Sequence, residues 1–200
     1  MIFQHFRLDI PSIETNAFVI GCEETREAML IDAGIFSEAI KAFLFEHSLR
    51  LSAIFITHNH WDHTDGLADA LSAWPEATVY HHTDSVAGVR AHALKQGHTM
   101  ALGSITGRIV ETPGHTPDGI SLILEETPAC PGMAFTGDAL FAGSVGGTSN
   151  PRDYEIQLDA IRKNLFGLPG HYEIHVGHGA SSTIAVEREF NPFFVRMAWE

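Results

Sequence analysis

Four side chains able to bind a cation fall within six residues, His58, His60, Asp62 and His63, in the pattern HxHxDH. Imidazole nitrogens and carboxylate oxygens are the donors that zinc, iron and manganese accept. In an extended loop, residues two apart point the same way, so His58 and His60 can grip one ion. Beyond the bend, Asp62 and His63 turn toward another. By accident the pattern would arise in roughly one chain of this composition in several hundred, so a second signal is needed. One segment cannot fill two coordination spheres, and further His or Asp residues must come from other strand-end loops. Three are present: His115 in Thr112-Pro113-Gly114-His115-Thr116-Pro117, Asp138 after Thr136-Gly137, and His178 in Val176-Gly177-His178-Gly179. A glycine beside each allows a tight turn and close approach to a charged centre.

The elements that must carry these loops are legible as apolar runs. Residues 18–20 and 28–31 read as strands, the second closing on a turn at Asp32-Ala33-Gly34. Ser37 is a candidate N-cap for a helix over 38–49, where Ile40, Phe43 and Leu44 fall at spacings of three and four. Residues 51–56 read as a buried strand opening onto the HxHxDH loop. A helical stripe of Leu67, Ala70, Leu71 and Trp74 then runs until Pro75. Further strands are expected over 77–80, 105–110, 120–124, 133–136 and 173–176, with helices over 154–165 and 182–190. A strand followed by a loop carrying His or Asp is the recurring unit, which predicts mixed sheets covered by helices.

Taken in order, HxHxDH, GHTP, GD and GHG resemble the metallo-β-lactamase superfamily. Within it, the chain is similar to short glyoxalase II-like (hydroxyacylglutathione hydrolase-like) proteins. The likeness is carried by Gly137 through Gly146 and by the ending Gly177-His178-Gly179, Glu187-Arg188-Glu189 and Asn191-Pro192-Phe193-Phe194. It implies an α+β fold, a four-layer αββα sandwich with metals at the loop edges between two sheets. It also implies that His58, His60 and His115 hold one metal, that Asp62, His63 and His178 hold a second, and that Asp138 bridges both. The implied cofactors are two divalent metal ions, zinc first, with iron or manganese also suited. Asp62 and Asp138 are the implied catalytic carboxylates. Two dications ~3.5–4 Å apart lower the pKa of a shared water toward ~7, so the resemblance implies a metal-bridging hydroxide that attacks a thioester carbonyl. Alternatives at the same site are an ester or lactone hydrolase, and a mononuclear iron oxygenase resembling persulfide dioxygenases that would use His58, His115 and Asp138. Asp138 in place of a cysteine argues against zinc β-lactamases of the Cys-containing type. His60, where diiron flavoproteins of this fold carry Glu, argues against those. Gly147 stands where the glyoxalase II kind usually carries Arg or Lys.

Two hundred residues, 44% hydrophobic and 18% charged, suit a single domain over 1–200. A net charge of -13 argues against nucleic acid, whose phosphates call for clustered Lys and Arg. The opening segment carries His5, Arg7, Asp9 and Glu14, and no apolar run is long enough to span a bilayer. A cytoplasmic protein is therefore expected, a monomer or homodimer whose partner is a small-molecule substrate and neither nucleic acid nor membrane. Cys22 and Cys130 show no metal or redox spacing and read as buried small hydrophobes. His5, His47, His92, His98, His171 and His175 read as surface or hydrogen-bonded residues, and His81-His82 as a solvated turn rather than cleft lining. Trp74 reads as packing and Trp61 as exposed at the site mouth. Asp32 reads equally as the orienter of a ligand histidine and as a turn cap. The run Phe190, Phe193, Phe194, Val195, Met197 and Trp199 has too much apolar surface for a free tail and should pack on the domain or on a second copy.

Overall fold

In the computed structural model, which describes residues 1–128 and 130–195, the chain runs β1 (Ile2–Ile10), β2 (Ile13–Gly21), β3 (Glu27–Ile31), α1 (Glu38–Glu46), β4 (Arg50–Phe55), α2 (Trp61–Thr64), α3 (Leu67–Ala73), β5 (Thr78–His81), β6 (Ser85–Val86), β7 (Val89–Arg90), β8 (His92–Ala93), β9 (Thr99–Leu102), β10 (Ile105–Glu111), β11 (Ile120–Leu124), β12 (Met133–Gly137), β13 (Leu140–Phe141), β14 (Ser144–Val145), α4 (Pro151–Asn164), β15 (Glu173–Val176), β16 (Ser182–Thr183) and α5 (Ile184–Phe190). β3, β11 and β12 are buried at nearly every position. A strand apolar on both faces must be covered on both, and the two sheets satisfy this by packing against each other and against helices. The first has the order β1-β2-β3-β4-β5-β8 and the second β16-β15-β12-β11-β10-β9.

Between the sheets lie Phe18, Ile20, Met29, Phe55, Leu122 and Phe135. The alternate residues Val19, Leu30 and Ile54 cluster instead with Ile40 and Leu44 of α1 and Leu67 of α3. On the second sheet, Ile123, Ala134 and Ile174 cluster with Leu158 and Ile161 of α4. The period-two alternation of side chains thus sorts the apolar residues into three cores. Four layers result, the αββα sandwich of the expected α+β class. Trp74 packs edge-on against Phe36, with centroids 5.6 Å apart, as its place in a helical stripe requires. Both cysteines are buried and free.

The element boundaries moved where local chemistry overrode periodicity. β1 emerges from an alternation of Ile2, Phe6, Leu8 and Ile10 that Gln4 interrupts. The Ser37 side chain caps α1 as expected, accepting from the Ile40 N–H at 3.4 Å. The helix stops at Glu46 because Ser48 adopts a φ of 52°, a left-handed conformation that cannot continue it. α4 starts at Pro151, ahead of the expected 154, because Asn150 accepts from the Asp153 N–H at 3.0 Å and proline suits a first helical position. Residues 182–183 are a short strand, and Thr183 caps the last helix. Phe194 packs on Phe166, with centroids 4.7 Å apart, whereas Phe190 stays 71% exposed. Met197 and Trp199 lie outside the described residues. Among the described residues, no helix is long and apolar enough to cross a membrane.

His175 is part of the inter-sheet core rather than of the surface. Its ring lies 5.0 Å from Phe135 at an interplanar angle of 26°, and 4.9 Å from Phe3; Nδ1 is 3.1 Å from Ser181 Oγ. Burial, helped by the nearby His5, lowers its pKa from 6.5 to about 4. The unfolded chain therefore takes up a proton first as the solution is acidified. Its contribution is intact above pH 6.5 and is lost as pH falls toward 4, a loss of about 3 kcal/mol. Replacing His175 with Phe should flatten the fall of Tm across that window relative to the wild type. An unchanged acid slope in thermal melts would show that this ring is not the titrating group.

Candidate metal centre

The four loops picked out by the sequence meet at one edge of the sandwich. β4 leads into His58 and His60, α2 carries Asp62 and His63, and the β10–β11 turn carries His115. Asp138 directly follows β12, and His178 lies just beyond β15. Among the described residues the donors form two adjacent groups, His58, His60, His115 and Asp138 in one, Asp62, His63 and His178 in the other. Within each, the donor atoms lie within 4.8 Å of one another.

His60 Nδ1 lies 3.1 Å from His58 Nε2 and 3.0 Å from His115 Nε2. Asp62 Oδ2 is 3.2 Å from His178 Nε2 and 3.5 Å from His63 Nε2. Asp138 reaches both groups: Oδ2 is 3.4 Å from His115 Nε2 and 3.3 Å from His178 Nε2, and Oδ1 is 3.4 Å from His63 Nε2. Backbone makes this approach possible only where side chains are missing. A Cβ on Gly177 would sit 2.0 Å from Asp138 Oδ1, and one on Gly146 would sit 1.9 Å from the Asp138 carbonyl oxygen.

The far nitrogens of three rings are held, which turns the near ones inward. His115 Nδ1 is 2.6 Å from the Gly147 carbonyl, and His178 Nδ1 is 2.6 Å from the Glu14 carbonyl. His63 Nδ1 is 2.8 Å from Asp32 Oδ2. Asp32, at a φ of 56°, also accepts from the Thr57 N–H at 2.8 Å and the Thr57 hydroxyl at 2.9 Å. Of its two expected roles, orienting a histidine is the one it fills.

Charge is arranged unevenly over the two groups. Burial, with the His63 charge beside it, holds His58 well below its ordinary pKa, and burial next to His115 lowers His60. Burial opposes protonation of His63 too, yet the Asp32 and Asp138 carboxylates override it and raise that ring to about 10. Asp138 and Asp62 likewise raise His178 to about 10 against its desolvation. Burial pushes Asp62 upward, but the His178 hydrogen bond and the His63 charge prevail and hold it at about 2. His178 and His63 keep Asp138 well below the usual carboxylate range despite its burial.

A divalent cation fits this donor set. His63 Nε2 and Asp138 Oδ1 are buried without hydrogen-bond partners although they face each other at 3.4 Å. Such orphaned atoms cost ~1–3 kcal/mol each unless a ligand satisfies them. A cation between an imidazole nitrogen and a carboxylate oxygen does so.

Several residues that shape the site were not singled out by sequence. Glu14, Thr15 and Asn16 of β2 contact the His178 side of the centre. Their signal was two polar residues, Thr15 and Asn16, in a run that is otherwise apolar and buried. Gln157 of α4 donates to the Ala139 and Gly146 carbonyls at 2.9 and 3.0 Å. Glu187 of α5, 1% exposed, accepts from the Gly143 N–H at 2.8 Å. Both brace the loop that carries Asp138. His81 is a correction: it is 1% exposed rather than part of a solvated turn. It ends β5 with Nε2 3.1 Å from Asp118 Oδ2, so it ties the His115 loop to the first sheet. Trp61 is 51% exposed between His60 and Asp62, as expected of a residue at the mouth.

Residues 13–178 match the family model of the Metallo-beta-lactamase superfamily. The chain belongs to this superfamily. It is similar to the hydroxyacylglutathione hydrolase of Glaesserella parasuis, 31% identical over 84% of this chain and 68% of that one. The hydroxyacylglutathione hydrolase GloC of Haemophilus influenzae is 29% identical over 93% of this chain and 98% of its own length. Among solved structures, ETHE1 from Myxococcus xanthus matches with a TM-score of 0.82 and 29% identity, covering 96% of this chain and 84% of that one. As a superfamily member with a His/Asp cluster at the loop edge, the chain has the fold and the donors of a divalent-metal enzyme.

Proposed function

We propose that this protein is a binuclear metal-dependent hydrolase of thioesters. His58, His60 and His115 hold one cation, Asp62, His63 and His178 the other, and Asp138 serves both. The observation that carries the reading is the position of Asp138, within 3.4 Å of a histidine from each group, with one oxygen left unpartnered. When bound, two divalent cations, zinc first among those the ligands suit, lower the pKa of a shared water and polarise a carbonyl oxygen. The chain supplies the rest. Glu14, Asp32 and Gly147 accept from Nδ1 of His178, His63 and His115, which leaves Nε2 of each ring as the atom that would coordinate once any proton on it is displaced. Asp62, held at about 2, remains ionised and works as a ligand. Glu187 and Gln157 keep the Asp138 loop in register.

The acyl-thioester preference rests on the likeness to the hydroxyacylglutathione hydrolases. The test is a panel of thioester, lactone and phosphoester substrates, run on chelator-stripped protein and again after zinc is restored. Thioester hydrolysis that survives stripping would refute the mechanism, and a lactone rate exceeding the thioester rate would move the assignment to a lactonase. Gly147 leaves open space where a Cβ would point and has no left-handed φ, so it accepts a side chain. Gly147→Arg should raise kcat/KM for an anionic glutathione thioester about fivefold, the ~1 kcal/mol of an exposed ion pair. A neutral N-acetylcysteamine thioester should be unaffected, and an equal gain for both would show that charge is not what the substitution adds.

The second reading, one iron in an oxygenase, needs only His58, His115 and Asp138 of the first group. It leaves the buried Nε2 of His63 without a function. One iron per chain together with thiol-dependent oxygen uptake would establish it.

A further inference from the structure

Three consecutive residues of β2 support the second donor group, Glu14 and Thr15 by direct contact and Asn16 through the loop around His178. The Glu14 carbonyl holds His178 Nδ1 at 2.6 Å. The Thr15 hydroxyl, fully buried, donates to Asp62 Oδ2 at 3.1 Å. Asn16 clamps the loop that carries His178. Its side-chain NH2 donates to the Val176 carbonyl at 2.9 Å and to the Gly179 carbonyl at 3.0 Å, one on each side of that histidine. Its backbone N–H donates to the Gly177 carbonyl at 2.7 Å, and its Oδ1 is 2.7 Å from His5 Nε2. Asn16 is 2% exposed and has both its NH2 hydrogens and its carbonyl oxygen engaged. The first group is held by other elements: His115 by the Gly147 carbonyl, and His58 beside the Thr57 hydroxyl at 3.0 Å.

We infer that β2 is the template for the second cation position, and that Thr15 and Asn16 set whether the centre holds two ions or one. This rests on the two-cation reading above. The register of β2 explains the division of labour. Side chains alternate across a strand, so Thr15 points to Asp62, while Asn16 on the opposite side reaches the β15 exit loop. Two ligands contributed by distant segments, Asp62 from α2 and His178 from beyond β15, thereby take their relative position from adjacent residues of one strand. A hydroxyl donated to a carboxylate ligand restricts which lone pairs remain for a cation. An amide bonded to carbonyls on both sides of a histidine fixes where that ring can stand. Partners of this kind typically change metal affinity 10–100-fold when removed. Thr15 and Asn16 are positioning residues: Thr15 touches the ligand Asp62, Asn16 holds the backbone on either side of His178, and neither touches the reacting atoms.

The experiment follows stepwise zinc binding by competition with a chromogenic chelator in four full-length proteins: wild type, Thr15→Val, Thr15→Ser and Asn16→Ala. Cobalt absorption spectra serve as a second readout, and thermal melts establish that each is folded. The second association constant should fall about tenfold in Thr15→Val and return in Thr15→Ser, which restores the hydroxyl. In Asn16→Ala it should fall ~10–100-fold, leaving one tightly held equivalent. The first constant should stay within about threefold of wild type throughout, since no partner of the first group is touched. Equal weakening of both steps, or a second step unmoved in both Thr15→Val and Asn16→Ala, overturns the inference even where wild type takes two ions. A wild-type chain that takes a single ion overturns the two-cation reading and the inference with it. Should Asn16→Ala fail to fold, the Thr15 pair decides alone.

Discussion

Replacing Asp138 with alanine is expected, on the proposal of a two-cation thioester hydrolase, to strip both cations and lower kcat/KM for a thioester by at least ~10³-fold, about 4 kcal/mol of transition-state stabilisation. No other single residue should do both. Asp138 Oδ2 faces His115 and His178 at 3.4 and 3.3 Å, and Oδ1 faces His63 at 3.4 Å, so its charge is shared by histidines of the two groups. It is also only 7% exposed, so its removal takes away the oxygen atoms that those rings face. His115→Ala, in contrast, removes a donor from one group only. Metal content by mass spectrometry, measured beside hydrolysis, separates the cases. Loss of one equivalent from Asp138→Ala with the other retained would show that the carboxylate belongs to one cation and does not bridge.

Much of this centre was legible because coordination chemistry restricts residue type more tightly than packing does. Each of the seven donors is a His or Asp beside a glycine or within HxHxDH, and all seven meet at the sandwich edge. The sandwich itself was legible from strands such as β4 and β12, whose apolar runs have few other uses. What escaped was the support. Thr15 and Asn16 lie in β2, and only the pairing of β2 against β1, with Ile10 opposite Ile13, brings that stretch to the edge where His178 arrives. A hydrogen bond between residues 15 and 62, or 16 and 176, has no local spacing to announce it. His81 escaped for the same reason. Adjacent histidines after a strand suggest a polar turn, but the contact of His81 Nε2 with Asp118 Oδ2 at 3.1 Å lets one of them be buried. Asp32 was left between two roles because Asp-Ala-Gly fits any turn, and only its distance to His63 decides.

The uneven charge of the two groups predicts that the cations bind with different proton stoichiometries. In the metal-free protein, His63 and His178 have pKa values of about 10, the neighbouring carboxylates having overcome the opposing effect of burial. At neutral pH each holds a proton where its nitrogen should coordinate. A cation entering the second group must displace both, so its apparent affinity should rise by about two decades per pH unit up to roughly pH 10. The sign follows from competition: lowering the pH adds protons at the ligand nitrogens and favours the metal-free form. In the first group, burial keeps His58 and His60 below their ordinary values, so they are already neutral at pH 7 and release no proton. Raising the pH from 7 to 8 should therefore strengthen the second zinc step about hundredfold and leave the first comparatively flat. Calorimetric titrations in buffers of different ionisation enthalpy count the protons directly, with about two expected for the second ion. A second step that releases none would mean that His63 and His178 are neutral in the metal-free protein, and that Asp32, Asp62 and Asp138 do not hold protons in the place of a cation.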